Sequence, residues 1–465
     1  EYIVSHYGTE YNGIESSDDM MQKYAYIYQY DYRRHCIYKK LPGCAPVYYV
    51  YDKAGNCILS QDGNQRLRGE WMYNIPDKFG RACISGICHN SVSYLEEPLH
   101  SLHVYAVYDG DSISTGGYSV NTIALAEQTL YSATYYDTHS FIGHHGVPSS
   151  LAPSSVSGIS IDTSIGRGLQ TGSATAYFDE DGVAGYTYSS IYYDSRYNVA
   201  QTIVTNHLGR NDVTSTKYSY TGKPTSMTVN HNLRRAGNTE TYTYSYDEAD
   251  RLKTVTHKLD NGSEITLQQN SYNALGQLTS MATGAYTASY SYDMHSWLTA
   301  INTSGQTSLF QERLSYANSG SPCYNGNISA MSWKAGNMNI QRTYDFSYDD
   351  ASRLTAATYS EGGSSSNKYS TQYTYDCMGN ILSLKRKGLQ DGGTYGYIDN
   401  LTLCYDGNHL ASVSDAVTDP TYNNAWNFSD GADSAQEYEY DENGNFKENN
   451  VMFFSDMDVE EIKIK

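Results

Sequence analysis

The sequence predicts an all-β fold, a long antiparallel sheet of repeated hairpins curling into an open, shell-like spiral. Three observations carry that expectation. Tyrosine fills 49 of the 465 positions. The pair Tyr-Asp, followed three residues later by Gly, Asn or a near relative, recurs at a spacing of roughly 20 to 30 residues. Each copy is preceded by an alternating run such as TYTYSY (Thr241 to Tyr246), in which every second residue is aromatic.

Alternation of period two places tyrosines on one face of a strand and hydroxyl residues on the other. The aspartate that follows can accept hydrogen bonds from backbone amides two or so residues on, and Gly or Asn takes the left-handed position that closes the turn. A second alternating run comes next, as in RLKTVTH (Arg251 to His257) or NILSLKR (Asn380 to Arg386), and predicts the returning strand of a hairpin.

In chain order the copies are Tyr51-Asp52 with Gly55, Asp77 with Gly80 (Pro76 fills the tyrosine slot), Tyr193-Asp194, Tyr246-Asp247 and Tyr272 with Gly276. They continue as Tyr292-Asp293, Tyr348-Asp349, Tyr375-Asp376 with Gly379, Tyr405-Asp406 and Tyr440-Asp441 with Gly444. A weaker copy, YDYRRH, begins at Tyr30. All are read as turn and packing positions, none as catalytic.

A single hairpin is marginal in water, so such units gain stability by pairing edge to edge into one continuing sheet. Tyrosine suits a sheet with a moderately wet face, because the ring buries apolar area while the hydroxyl finds a partner. About a dozen hairpins give about two dozen strands, and roughly 110 to 120 Å of sheet along its hydrogen-bonding direction. That predicts an open, curved segment instead of a sealed container.

The rhythm divides the chain into an N-terminal repeat segment (1–90), an irregular Gly/Ser/Thr-rich insertion with short strands (91–176), a main repeat segment (177–448) and a divergent tail (449–465). The insertion, with SISTGGYSV and VPSSLAPSSVSGISIDTSIGRG, reads as loops, an insertion or plug in the sheet.

Beyond the single repeats, longer phrases resemble the Rhs or YD-repeat family in the form found in Bacteroidetes-like bacteria. LPGCAPVYYVYDKAGNCILSQDGNQRLRGEW (Leu41 to Trp71) is similar to the family's N-terminal shell segment, YDMHSWLTAIN (Tyr292 to Asn302) to its Tyr-Asn-x-x-Gly-Trp-Leu-Thr-x-Ile-Asn stretch, and YNGNISAMSW (Tyr324 to Trp333) to a further phrase. The resemblance implies a sheet that forms a hollow shell, which in Rhs proteins and related toxin complexes encloses a C-terminal toxic domain; teneurins use a similar shell in adhesion. It implies a toxin domain and an immunity or capping protein as partners, and a secreted or cell-surface address. Family members close the shell with a core ending in Asp-Pro-x-Gly, whereas here Asp419-Pro420 is followed by Thr421 and Tyr422, so the family's self-cleaving core is not recognised. The tail departs from the family phrase that follows such a repeat, as a truncated or frameshifted member would.

Composition narrows the classes. Lys plus Arg total 31 against 51 acidic residues, a net charge of −20, which opposes binding to nucleic acid or an anionic membrane. Hydrophobic residues make up 39%, and no apolar run approaches the roughly eighteen residues needed to span a bilayer. The sequence begins at Glu1 and shows no signal peptide, so a true start that was processed away or lies upstream is expected. The eight cysteines (Cys36, Cys44, Cys57, Cys83, Cys88, Cys323, Cys377 and Cys404) form no C-x-x-C pair and are expected to be mostly free thiols, Cys83 and Cys88 being the nearest pair.

Other constellations are weaker. His139, His144 and His145 lie close in sequence, but loop histidines are usually solvated, and no metal is expected there. FDEDG (Phe178 to Gly182) reads as a solvated turn before a calcium or carboxylate pair. Asp247-Glu248-Ala249-Asp250 spells a helicase motif but sits in a repeat turn, and neither a phosphate loop nor a Gly-x-Ser-x-Gly elbow occurs. The chain is therefore expected to be no enzyme and to need no cofactor. The leading reading is a shell segment acting by sequestration; the alternative is a surface adhesion or carbohydrate-binding module using exposed tyrosines.

Overall fold

The structure is a computed structural model that describes residues 2–4, 19–96, 98–164, 167–180, 182–232, 237–305, 310–317, 322–336, 340–390, 393–417, 428 and 434–449. Asp419-Pro420 and nearly all of the tail lie outside the described residues. The fold is nearly all-β and antiparallel throughout, in keeping with the alternating sequence. It divides into two compact units, one of residues 27–40 and 46–270, the other of residues 2–26, 41–45 and 271–465.

In the first unit, Val47–Tyr51, Cys57–Gln61, Glu70–Pro76 and Ala82–His89 pair in chain order. Ala82–His89 then pairs with Ala126–Tyr136, which pairs with Gln170–Asp179. From there the order resumes through Gly182–Tyr193, Val199–Thr205, Asn211–Tyr218, Pro224–His231, Asn238–Tyr246 and Leu252–Leu259.

Within the 91–176 stretch, the 11-residue strand Ala126–Tyr136 is thus an integral member of the sheet. It ends in a further Tyr-Asp pair, Tyr136-Asp137. At this pair the turn has been opened to admit residues 138–168: the Asp137 amide donates to the Leu169 carbonyl at 3.0 Å, and the Gly168 amide to Asp137 Oδ1 at 2.6 Å. The sequence hid the copy because no returning strand follows it locally. A short separate pair, Ala106–Tyr108 with Tyr118–Val120, lies in the same stretch.

Several apolar residues of this stretch are packed into the fold while much of residues 152–164 stays exposed. Leu99, Val104, Tyr118, Phe141, Val147 and Leu151 join Trp71, Tyr73, Ile75, Ile84, Tyr135 and Ile203 in one buried cluster. Phe141 stacks on Tyr135 at 4.1 Å, and Gly172 makes room for it, because a Cβ there would stand 2.3 Å from Phe141 Cζ. Burying this apolar surface stabilises the unit by roughly 25 cal/mol per Å2 removed from water.

In the second unit, strands from Leu278–Ala282 through Tyr286–Tyr292, Leu298–Gly305, Phe310–Ser315, Ala330–Ala335, Arg342–Tyr348 and Leu354–Glu361 pair in order. Thr371–Tyr375, Ile381–Leu389, Tyr395–Asp406 and His409–Asp415 continue the series. Most of their side chains are half-buried, with only a few such as Tyr359, Ile398 and Val413 withdrawn from water.

The hairpins turned by Tyr-Asp pairs slip register at the tyrosine. Tyr51 pairs with Cys57 while Val50 pairs with Leu59, leaving Ile58 as an extra, unpaired residue. Tyr246, Tyr292, Tyr348 and Tyr375 repeat the step. Such a bulge adds local twist.

Among the described residues two short α-helices, Asp19–Tyr24 and Gly63–Arg68, lie outside the alternating pattern. The helix Gly63–Arg68 is held by a capping box between Asp62 and Gln65 and ends on left-handed Gly69.

Candidate functional site: the Tyr-Asp turns and an aromatic cleft

The turns share one geometry. In Tyr375-Asp376, the Asp376 amide donates to the Asn380 carbonyl at 3.0 Å, and the Gly379 amide donates back to the Asp376 carbonyl at 3.3 Å. The Asp376 carboxylate accepts the amides of Met378 and Asn380, both at 2.8 Å, and Asn380 Nδ2 at 2.8 Å. Asp77, Asp194, Asp247, Asp349 and Asp441 accept the same pair of amides. Asp52 accepts the Asn56 amide and also reaches the Val104 amide of the inserted stretch at 3.2 Å. In the copy at Tyr272, Asn273 takes the aspartate's place before Gly276.

The fourth residue after the aspartate takes part as well. Arg81, Arg251 and Arg353 place Nε 2.6–2.7 Å from the second carboxylate oxygen, where other copies use the amide of Asn. These bonds hold the Asp247 and Asp349 carboxyls below the usual carboxylate range, the backbone amides of Arg251 and Arg353 contributing most.

The left-handed residue is the third after the aspartate. Gly55, Gly80, Gly276, Gly379 and Gly444 have φ between +78° and +97°. In the other copies the position is filled by Arg34, Tyr197, Asp250, Ser296 and Ser352, all with positive φ, while the Asn residues of the motif sit one place later and take no left-handed conformation. Tyr405-Asp406 closes differently: Asp406 pairs directly with His409 around a two-residue turn at Gly407, and its carboxylate meets Lys23 Nζ at 2.7 Å.

In eight of the pairs the tyrosine has a partner that sequence reasoning missed. Its hydroxyl donates to a backbone carbonyl just past the preceding turn: Tyr51 to Cys36, Tyr193 to Gln170, Tyr246 to Pro224, Tyr292 to Leu278, Tyr348 to Ile328, Tyr375 to Leu354, Tyr405 to Ile381 and Tyr440 to Leu410, at 2.7–3.1 Å. Tyr136 does so to Ala82. The signal was the constant placement of Tyr directly before Asp, which alternation alone does not require. Burial pushes the Tyr51 hydroxyl up to about 12, so it remains a donor.

Other candidate groups disperse. His139 stacks on Tyr192 and bonds the Ile191 carbonyl at 2.8 Å, and burial pushes its pKa down. Among the described residues no three His, Cys, Asp or Glu side chains gather as metal ligands. All eight cysteines are free, and Cys83 and Cys88, five apart on one strand, point to opposite faces. Burial pushes the thiols of Cys57, Cys83 and Cys88 up to about 11. Asp179 and Gly182 face each other across a tight turn.

One concavity stands out in the second unit. A cleft of about 630 Å3 is lined by Asp293, His295, Trp297, Asn302, Arg313, Tyr316 and Tyr324, together with smaller residues. Ser291, Ala300 and Arg313 form one cross-strand row, and the two small residues open space beside the arginine. His295 stacks on Trp297 at 4.8 Å, and Tyr316 leans on the indole at 4.9 Å. Asp293 Oδ1 accepts the amides of His295 and Trp297, both at 2.9 Å, so the turn fixes the cleft's edge. Among the described residues no helix is long and apolar enough to cross a membrane.

No family model and no curated protein matches the chain by sequence. Among solved structures, the chain is similar to the crystal structure of TcdB2-TccC3, with a TM-score of 0.55 and 13% identity over 91% of this chain and 19% of that one. The same complex without its hypervariable C-terminal region gives 0.48 and 13% over 84% of this chain and 18% of that one. A Photorhabdus luminescens Tc holotoxin pore gives 0.43 and 15% over 91% and 20%. The first of these likenesses shows a shared fold, and this chain spans about a fifth of that structure's length.

Proposed function

We propose that the chain is a wall segment of an Rhs-type shell, secreted or displayed at the cell surface, that encloses or presents a C-terminal toxic domain by steric sequestration and not by catalysis. The observation that supports this best is the fold likeness to TcdB2-TccC3 across 91% of the chain. The seams between successive hairpins, each held by main-chain ladders and a tyrosine hydroxyl, suit a wall that must not leak. The partners on this reading are a toxic domain encoded after Lys465 and an immunity or capping protein. The test is to follow the reading frame beyond Lys465 and express the chain with whatever follows. An attached unrelated domain that resists protease while the sheet is intact supports the reading. A stop codon directly after Lys465, or a domain digested as fast as it is alone, overturns it. A second reading, surface binding of a saccharide, is favoured by one feature, the aromatic cleft at Trp297.

A further inference from the structure

We infer that the cleft at Trp297 binds a saccharide carrying a single carboxylate, such as a terminal uronic acid. This rests on the second reading above and adds the ligand class. Trp297 occupies the turn position where Arg251, Arg353 and Asn380 clamp the neighbouring aspartate. Its indole gives the turn no such clamp and instead lines the cleft with His295 stacked on it and Tyr316 leaning against it, an aromatic wall of the kind that packs against the C–H face of a sugar ring.

The polar groups define the rest of the ligand. Asn302, Asp293 and the hydroxyls of Ser291, Thr299 and Ser315 line the same space and match a ligand rich in hydroxyls. The Arg313 side chain is exposed and makes no hydrogen bond or ion pair among the described residues, unlike those of Arg81, Arg251 and Arg353. A guanidinium fork takes a carboxylate through two parallel hydrogen bonds.

Two alternatives fit less well. A polyanion meets a chain of net charge −20 with one arginine in the cleft, so long-range repulsion outweighs the local attraction. An extended peptide would look for a free strand edge, but Leu298–Gly305 and Phe310–Ser315 are each paired on both sides. The volume of about 630 Å3 lies within the roughly 300 to 1,000 Å3 usual for small-ligand sites.

The experiment titrates the full chain with a glucuronate-terminated disaccharide, its glucose-terminated counterpart and an acidic peptide, by calorimetry and tryptophan fluorescence. Arg313→Gln and Tyr324→Ala are compared, both changing exposed side chains, with circular dichroism to verify folding. Binding of the uronate, weakened about tenfold by Arg313→Gln, as loss of one charged hydrogen-bonding partner implies, with the preference over glucose abolished, supports the inference. Equal binding of both sugars, or uronate binding that Arg313→Gln leaves unchanged, overturns the carboxylate assignment while leaving saccharide binding standing. Binding of neither sugar overturns both, and binding of the peptide alone reassigns the cleft to a protein partner.

Discussion

Gly379 has φ +97°, and a Cβ added there would meet no atom within 4 Å. The site is sterically open, so substitution isolates the backbone cost. Gly379→Val should lower unfolding free energy by about 1–2 kcal/mol in chemical denaturation, the usual cost of a left-handed L-residue; unchanged stability would show that this turn relaxes freely. The reciprocal change tests the same cause. Arg34 holds φ +69° at the equivalent position, and Arg34→Gly should stabilise by about 0.5–1 kcal/mol, the relief of strain less the added chain entropy. Sequence alone placed Gly379 in the left-handed slot, because only glycine fits it without strain. It did not place Tyr197 or Asp250 there, since nothing local to those residues favours positive φ; the ladder on either side imposes it.

At the scale of the hairpin, three features come together: the aspartate cage, the bulge beside the tyrosine and the hydroxyl that reaches the preceding hairpin. Tyr375→Phe removes the 2.7 Å bond to the Leu354 carbonyl and keeps the ring, so it should cost about 1 kcal/mol. Hydrogen exchange should quicken in both hairpins it joins; faster exchange confined to 371–389 would refute the staple. The cage makes a pH prediction. The carboxyls of Asp247 and Asp349 are depressed in the fold, so their contribution is fully present above the unfolded carboxylate pKa of about 4 and is lost as pH falls through the lower folded value. Amides of both turns should lose protection in that acid window, and Asp349→Asn should flatten the dependence at its own turn only. Strand, turn and return were legible here because each depends on residues within about ten positions of one another. The bulge was not, since it appears only when two strands are laid side by side.

For the molecule as a whole, the units differ in what supports their sheets. The first carries one buried cluster that holds Phe141, Val147 and Leu151 together with Tyr73 and Ile84, whereas strands of the second are mostly half-buried. In hydrogen exchange the slowest amides should therefore lie in Glu70–Pro76 and Ala82–His89, with the strands between Tyr286 and Ser315 exchanging sooner; the opposite order would mean that the cluster contributes little. By itself the sequence determined an antiparallel sheet of hairpins and the aspartates that turn them, because alternation and turn chemistry are written in neighbouring residues. Only the tertiary structure decided that Tyr136-Asp137 opens to admit an inserted stretch, that Phe141, Val147 and Leu151 of that stretch join the buried cluster, that Tyr375 reaches back 21 residues to Leu354, and that Trp297, Arg313 and Tyr324 share one cleft. Each of those depends on which strands lie side by side, and pairing partners are chosen by the packing of the whole sheet and not by any residue's neighbours in sequence.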